Sequence, residues 1–496
     1  MTFSEKLAAK LEDRSLLRPA GFVAGKWIDD VPSARRFDIF DPATGDSIAT
    51  APEMGREETR AAIEAAYIAQ KDWAALPAKS RSVLLRRWYD LIVANVNDLA
   101  VILTTEMGKP FAEARSEILY GAAYVEWFAE EAKRIYGDTI PGHLHDKRII
   151  VLKQPIGVVG AITPWNFPNA MIARKIAPAL AVGCAIVAKP AEQTPLSATA
   201  LAVLAQRAGI PAGVLNIIVG TDGPAIGQEL CSNEKVRKIS FTGSTEVGRI
   251  LMRQSAEHIK KLSLELGGNA PFIVFDDADV DAAVEGAIVS KFRNAGQTCV
   301  CANRLYIQAG IYEEFAGKFT ARVANLKVGS GFTDHVDIGP LIDQEGVRKA
   351  NSHVADAVSK GGVVTLGGKL HELGGSFYEP TVMTLVDGGM AIAREETFGP
   401  VAPLFRFENV DEVVAQANDT VFGLAAYFYG RDLSRVWKVA EALEYGIIGI
   451  NTGAISTEVA PFGGIKQSGF GREGSKYGVE DYLEIKYLCV EISGSA

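Results

Sequence analysis

From about residue 151 onward, short apolar runs rich in β-branched residues alternate with longer segments whose apolar positions recur at helical spacing. This is the rhythm of strand–helix–strand units. It predicts strands over 156–163, 184–189, 214–219, 236–241, 262–265 and 271–275, with helices between them, such as 170–181 and 196–208. The latter ends with Gly209 just past its last residue and Pro211 two further on. A second alternation begins near Ala282 and runs to about Asn451, which predicts a second α/β unit. Before residue 131 the pattern reads as a leading loop with strands, then helices over 57–73 and 79–107. Two outlying pieces, Arg148-Ile-Ile-Val-Leu and Leu483-Glu-Ile-Lys-Tyr-Leu, alternate residue by residue and predict a small sheet outside both units.

Length supports this division. At 496 residues the chain exceeds the roughly 250–300 residues at which single cores stop growing, so two large domains are expected. Apolar residues make up 48% and charged residues 22%, near the averages for soluble proteins, and no run approaches the roughly 18 apolar residues of a membrane span. The N-terminal stretch carries acids within its amphipathic pattern and has no apolar signal core, which predicts a cytoplasmic chain. Five scattered cysteines and six histidines without ligand spacing predict neither a disulfide framework nor a metal site. A net charge of −9 with no basic run argues against a nucleic-acid partner. It also requires that any anionic substrate be held by locally placed cations.

A few segments carry chemistry. Cys299 closes Phe292-Arg-Asn-Ala-Gly-Gln-Thr-Cys299, and Glu265 opens Glu265-Leu-Gly-Gly268. A thiolate attacking a carbonyl carbon makes a tetrahedral adduct, and a nearby carboxylate can activate the water that later releases the acyl group. Taken alone, Cys299 reads equally well as an inert buried thiol. Gly243-Ser-Thr-Glu-Val-Gly248 follows a predicted strand and opens a helix, the setting of a dinucleotide-binding turn. Thr245 stands where the full fingerprint has its middle glycine, so the turn alone is a weak signal. Glu192, in Ala188-Lys-Pro-Ala-Glu-Gln-Thr-Pro195, carries a carboxylate suited to ribose hydroxyls and opposed to a 2′-phosphate, although in isolation it reads as a solvated loop charge. Asn166, in Pro164-Trp-Asn-Phe-Pro168, reads as a turn residue or as an oxyanion donor beside the Cys299 N–H.

Together these segments resemble the aldehyde dehydrogenase superfamily, and the resemblance extends to Gly471-Arg-Glu-Gly-Ser-Lys-Tyr-Gly478. It implies an α/β fold with a Rossmann-type NAD-binding domain over 1–131 and 151–265 and a second α/β catalytic domain over 266–466. Segments 132–150 and 467–496 would form a small β bridging domain that pairs strands across a subunit boundary, hence a homo-oligomer, either a dimer or a dimer of dimers. The same resemblance makes Cys299 the nucleophile, Glu265 the base and Asn166 an oxyanion donor. It places Gly243, Ser244 and Gly248 at the cofactor phosphates, Lys189 and Glu192 at the adenosine ribose, Glu396 at the nicotinamide ribose and Phe398 near the nicotinamide, with Thr163, Trp165 and Leu266 completing the set. A glutamate at 192 goes with a preference for NAD, while Lys189 leaves tolerance for NADP. Glu265 further implies that the thioester is hydrolysed rather than passed to coenzyme A.

Arg174 lies eight residues after Asn166, at most about two helical turns along, and Arg293 lies six before Cys299. Their guanidinium forks are matched to a carboxylate, though each also reads as an ordinary salt-bridging residue. The branch of the superfamily that oxidises succinate semialdehyde combines both arginines with Gly296-Gln-Thr-Cys-Val-Cys-Ala-Asn303 and Asn451-Thr-Gly-Ala-Ile-Ser456, and this chain carries the set. By that resemblance Arg174, Arg293 and Ser456 hold the distal carboxylate, with Phe167 and Phe462 in the substrate pocket. One methylene is worth only ~1–3 kcal/mol of discrimination, so glutarate semialdehyde is the alternative substrate. Cys301 is a redox candidate, able to block Cys299 as a disulfide if a bend brings the two into range. A cofactor-free thiol hydrolase would need a histidine base, and the nearest in sequence, His335 and His258, lie 36 and 41 residues from Cys299. A non-catalytic protein on the same fold is set against by the joint presence of Cys299, Glu265 and Asn166.

Overall fold

The computed structural model describes residues 7–492. Its largest sheet has eight strands in the order Gly469–Phe470, Lys261–Glu265, Val236–Thr242, Val158–Ile162, Ala185–Lys189, Leu215–Ile217, Gly21–Val23 and Lys26–Ile28. The five from Lys261–Glu265 to Leu215–Ile217 are parallel, and the outer ones join antiparallel. All of Ala185–Lys189 is buried, as a parallel strand covered on both faces should be. Chain order reverses between Val158–Ile162 and Val236–Thr242, and at such a switch point the carboxyl ends of the strands diverge to leave a crevice. The helix Pro168–Val182 starts there with Pro168 in its first turn and stops at Gly183, whose φ of 100° suits only glycine without strain. Every residue of that helix is buried, Arg174 and Lys175 included.

A second sheet has seven strands in the order Val363–Leu366, Thr381–Thr384, Val401–Phe407, Ala302–Gln308, Ala270–Val274, Ala425–Tyr429 and Ile447–Ile450, parallel except at the Val363–Leu366 edge. Each large sheet has its own hydrophobic cluster, which bears out the two α/β units expected from the pattern. The two outlying pieces also pair: Leu483–Glu491, Lys147–Pro155 and Asp138–Ile140 form a three-stranded antiparallel sheet. Gly469–Phe470, from the same C-terminal segment, instead joins the edge of the eight-stranded sheet.

The helix expected over 79–107 is two helices, Ala78–Ala94 and Val96–Met107. Between them the Asn95 side chain donates to the Leu91 carbonyl at 2.8 Å, a local bond that competes with continuation of the backbone ladder. Among the described residues no helix is long and apolar enough to cross a membrane.

Candidate active site

Glu265 is the last residue of its strand, and the chain leaves it through Leu266, Gly267 and Gly268. Both glycines allow a close approach, and at Gly268 it is one of main chain. A Cβ at Gly268 would stand 2.4 Å from the Cys299 carbonyl oxygen, and one at Gly267 would stand 2.9 Å from Glu396 Oε2. Cys299 arrives from the second unit, after the helix Val280–Phe292, by a turn in which Asn294, Ala295 and Gly296 have φ of 54°, 55° and 76°. Left-handed backbone at a non-glycine residue costs of order 1–3 kcal/mol and persists only where its surroundings hold it. Here the Asn294 N–H donates to Glu113 Oε2 at 3.0 Å, Asn294 Nδ2 donates to the Asn166 carbonyl at 2.9 Å, and Gln297 Oε1 accepts from the Ile342 N–H at 2.9 Å. Asn166 Nδ2 donates to the Gln297 carbonyl at 2.9 Å, which ties the end of the first strand to the cysteine turn and leaves its second N–H free for another acceptor. Lys109 Nζ donates to the Asn166 carbonyl at 2.8 Å and is paired with Glu117 at 2.5 Å. Glu117 in turn accepts from the N–H groups of Asn169 and Ala170 at the start of the helix behind Asn166.

The electrostatics of the resting site favour protons. Glu265 is 3% exposed, and among the described residues neither carboxylate oxygen has a hydrogen-bond partner. Burial, with the charge of Glu473 beside it, holds its carboxyl well above the usual range. Burial also pushes the Cys299 thiol up to about 12, and Glu396 adds to the effect. Glu396 itself is raised by burial to about 7, although one oxygen accepts from the Gly268 N–H at 3.0 Å. Burial would raise Glu473 as well, but Lys175 at 2.5 Å and Arg174 at 2.6 Å hold it below its ordinary value.

Two cavities open here, one on this floor and one beside the turn that leads to Cys299. One, of about 410 Å³, is lined by Trp165, Asn166, Ser244, Glu265, Cys299 and Glu396 among others. The second, of about 560 Å³, is lined by Glu113, Tyr120, Phe167, Arg293, Asp337 and Ser456 among others. The first suits a nicotinamide dinucleotide: Ser244 caps the helix Thr245–Ser255 through the Val247 N–H, and among the described residues the hydroxyl of Thr242 on the cavity wall is buried without a partner, as is that of Thr163, next to Pro164 of the wall. When bound, such a dinucleotide supplies a positively charged two-electron acceptor.

The model of the aldehyde dehydrogenase family matches residues 27–488. The chain belongs to the aldehyde dehydrogenase family. It is 62% identical over 481 residues to the NADP(+)-named succinate-semialdehyde dehydrogenase of Escherichia coli K12, covering 97% of this chain and 99% of that protein. It is also 62% identical over 483 residues to the glutarate-semialdehyde dehydrogenase of Pseudomonas putida KT2440, covering 97% and 100%. The crystal structure of succinate-semialdehyde dehydrogenase from Burkholderia pseudomallei superimposes with a TM-score of 0.96 at 61% identity, covering 97% of this chain and 99% of that one.

In this aldehyde dehydrogenase most of the expected site residues converge. Trp165, Asn166, Gly243, Ser244, Glu265, Leu266, Cys299, Glu396 and Phe398 line the first cavity, where the Trp165 and Phe398 rings meet edge-on at 5.5 Å. Gly248 packs beneath Leu266, whose side chain would stand 2.6 Å from any Cβ there. Lys189 is buried and pairs with Glu192 at 3.1 Å; Glu192 opens onto a third cavity, of about 570 Å³, that shares Gln193 with the first. Phe167, Arg293 and Ser456 share the second cavity, with the Arg293 guanidinium 5.1 Å from the Phe167 ring centre. Arg174 lines neither of the first two cavities: it is 1% exposed, bonded to Glu473 and 4.2 Å from the Phe462 ring centre. Burial works against its charge, but Glu473 keeps the guanidinium protonated. Cys301 is buried, its thiol donating to the Lys291 carbonyl at 3.3 Å. His335 is exposed and lines neither cavity.

Sequence reasoning missed Lys109, Glu117, Asn294, Gln297, Lys175 and Glu473. Glu473 lies within the Gly471–Gly478 segment that carried the family resemblance, the one signal in the sequence that touches it; its burial is seen only in the structure.

Proposed function

We propose that this aldehyde dehydrogenase oxidises short aldehydes with a carboxylate at the far end, succinate semialdehyde foremost and glutarate semialdehyde as the alternative. The observation that carries this reading is the joint presence of Arg293, Ser456 and Phe167 on one cavity next to the turn that presents Cys299. Arg293 and Ser456 form the primary carboxylate clamp. Arg174 contributes from beneath, its charge shared with Glu473. The names of the E. coli and P. putida relatives support both substrates.

In the reaction, the Cys299 thiol gives up its proton to solvent, Sγ bonds to the aldehyde carbon, and the resulting oxyanion accepts from Asn166 Nδ2–H and the Cys299 N–H. Two electrons and a proton then leave that carbon for the two-electron acceptor that a bound dinucleotide would supply, and a thioester remains. Glu265 then takes a proton from the attacking water, and the carboxylate product leaves as the thiol re-forms. Ser244 and the helix start behind it bind the dinucleotide phosphates, Glu396 the nicotinamide ribose and Lys189 with Glu192 the adenosine ribose. The enzyme uses NAD(P). Glu192 favours NAD, while its ion pair with Lys189 offsets part of the repulsion of a 2′-phosphate, so NADP is accepted too, as the name of the E. coli relative supports.

The domain boundaries expected from sequence accompany this reading, with the three-stranded sheet as the bridging element of a cytoplasmic homo-oligomer. Its partly exposed Ile150, Leu152, Ile485 and Tyr487 supply apolar surface for such pairing. Cys301 remains a candidate for reversible oxidation with Cys299.

The test is a set of initial rates with succinate semialdehyde, glutarate semialdehyde and butanal, each with NAD and with NADP. A strong preference for the acidic semialdehydes that disappears in Arg293→Met supports the clamp. Equal use of butanal by the unmodified enzyme sinks it.

A further inference from the structure

The helix Gln344–Ser359 begins at the first cavity, which Glu345, Gly346 and Lys349 line, and buries a stripe of Val347, Ala350, His353, Val354 and Ala357. His353 is one turn beyond Lys349 and 3% exposed. Its ring spans the loop that carries Glu396: Nδ1 lies 3.1 Å from Thr397 Oγ1 and Nε2 lies 3.4 Å from Glu395 Oε2. A carboxylate only accepts, so Nε2 carries the proton toward Glu395, and Nδ1 of the neutral ring accepts from the Thr397 hydroxyl. The groups facing the ring are Glu395 and Thr397 from the loop and Lys349 and Asp356 from its own helix, and burial keeps the imidazole neutral. Glu396 and Phe398 lie between and just beyond these anchors. Phe398 has a φ of 54°, a left-handed backbone for a bulky residue that its surroundings must hold.

We infer that His353 is a positioning residue for the dinucleotide: by bonding both Glu395 and Thr397 it fixes the loop that presents Glu396 and Phe398 to the nicotinamide end of the cleft. The inference rests on the reading of the first cavity as the dinucleotide site. Without the imidazole the loop keeps its tie from Glu396 to the Gly268 N–H, but it loses both side-chain bonds to the helix that forms the facing wall, which then holds this stretch through Asp356 on the Ala391 N–H, several residues away. Lys349 and Glu396 are then held less firmly in register. The consequence falls on dinucleotide binding, because the second cavity shares no residue with this loop.

The experiment measures NAD and NADP dissociation constants on the full-length enzyme from quenching of tryptophan fluorescence, for which Trp165 lines the cleft, together with KM for dinucleotide and for succinate semialdehyde. His353→Ala is expected to weaken dinucleotide binding about three- to tenfold, the effect of one or two lost hydrogen bonds, with the semialdehyde KM unchanged. His353→Gln keeps a donor toward Glu395 and recovers part of the loss, and Thr397→Val reproduces part of it. If His353→Ala does not fold, the other two variants carry the test. Wild-type dinucleotide affinity in both His353→Gln and Thr397→Val overturns the inference, as does an equal rise in the semialdehyde KM. Failure of the unmodified protein to bind either dinucleotide is visible before any variant is made; it removes the proposed function and this inference with it.

Discussion

Replacing Gly268 by alanine tests whether the approach of the Glu265 strand end to the Cys299 turn is what makes the site. The added Cβ would stand 2.4 Å from the Cys299 carbonyl oxygen, a full ångström inside ordinary contact, which begins near 3.4 Å. Both sides of the clash are main chain, so no rotamer relieves it, and the Cys299 turn must retreat by most of that ångström. Displacement of a reacting group by about 1 Å can cost a hundredfold in rate, while overpacking of this kind costs about 1–3 kcal/mol in stability. Gly267→Ala is the matched control. Its Cβ meets Glu396 Oε2 at 2.9 Å, the free end of a side chain that can rotate away. The expected result is a split: Gly268→Ala loses about a hundredfold in kcat with dinucleotide affinity nearly kept, whereas Gly267→Ala raises the dinucleotide KM and keeps most of kcat. The assay is steady-state oxidation of succinate semialdehyde with dinucleotide titration, alongside thermal melting to confirm folding. Gly268→Ala with more than half the parental kcat and an unchanged Tm would refute the argument, because the two backbones would then not need to meet as closely as they do.

Three further outcomes follow from the same geometry. Glu265→Gln should release one equivalent of reduced dinucleotide in a burst and then turn over about 10²–10⁴-fold more slowly, because the acyl group waits for unassisted water; stopped-flow absorbance reads the burst, and its absence assigns hydrolysis to another base. Cys299 in the dinucleotide-free enzyme, its thiol pushed up to about 12, is almost wholly protonated at pH 7, so iodoacetamide labelling should climb about tenfold per pH unit from 7 to 10; a plateau below pH 9 contradicts that environment. Glu192→Ser removes the charge that opposes a 2′-phosphate and frees Lys189, shifting the NADP-to-NAD ratio of kcat/KM upward by about tenfold, read from initial rates with each cofactor.

The parts legible in the sequence are those whose chemistry is local. The βαβ rhythm placed most strands of the parallel series to within about two residues, and Glu-Leu-Gly-Gly and Gly-Gln-Thr-Cys announced themselves because steric need and nucleophile lie within one short segment each. What stayed hidden is set by partners far away in the chain. Arg174 was read as a substrate cation from its spacing after Asn166 and from the resemblance; the sequence did not show that Glu473, almost 300 residues on, bonds its guanidinium. The Asn294–Ala295 turn could not be foreseen, since neither residue is glycine and its left-handed backbone is held by Glu113 and Asn166 from other segments. Asn95 broke a helix for a reason internal to four residues, yet asparagine is tolerated within helices often enough that periodicity alone carried the pattern through it.

The proton inventory of the resting site explains why these positions belong together. Glu265, Glu396 and Cys299 are each held toward the protonated form, chiefly by burial. Three anions on one cleft floor would repel one another and any carboxylate-bearing aldehyde; keeping them neutral removes that repulsion, while Arg293 and Arg322 present cations on the second cavity beside Glu113, Glu117 and Asp337. Cys299 and Glu396 line the same cleft, and burial is the main reason that the thiol keeps its proton, so a cation bound there would favour the thiolate. Nucleophile activation would then follow occupancy of the first cavity, and a thiol protonated until that point would be protected from stray electrophiles. Glu473 sets the limit of this arrangement. It stays ionised between Lys175 and Arg174, so Glu265 keeps one anionic neighbour that raises its proton affinity; Glu265 must give up its own proton before it can take one from water.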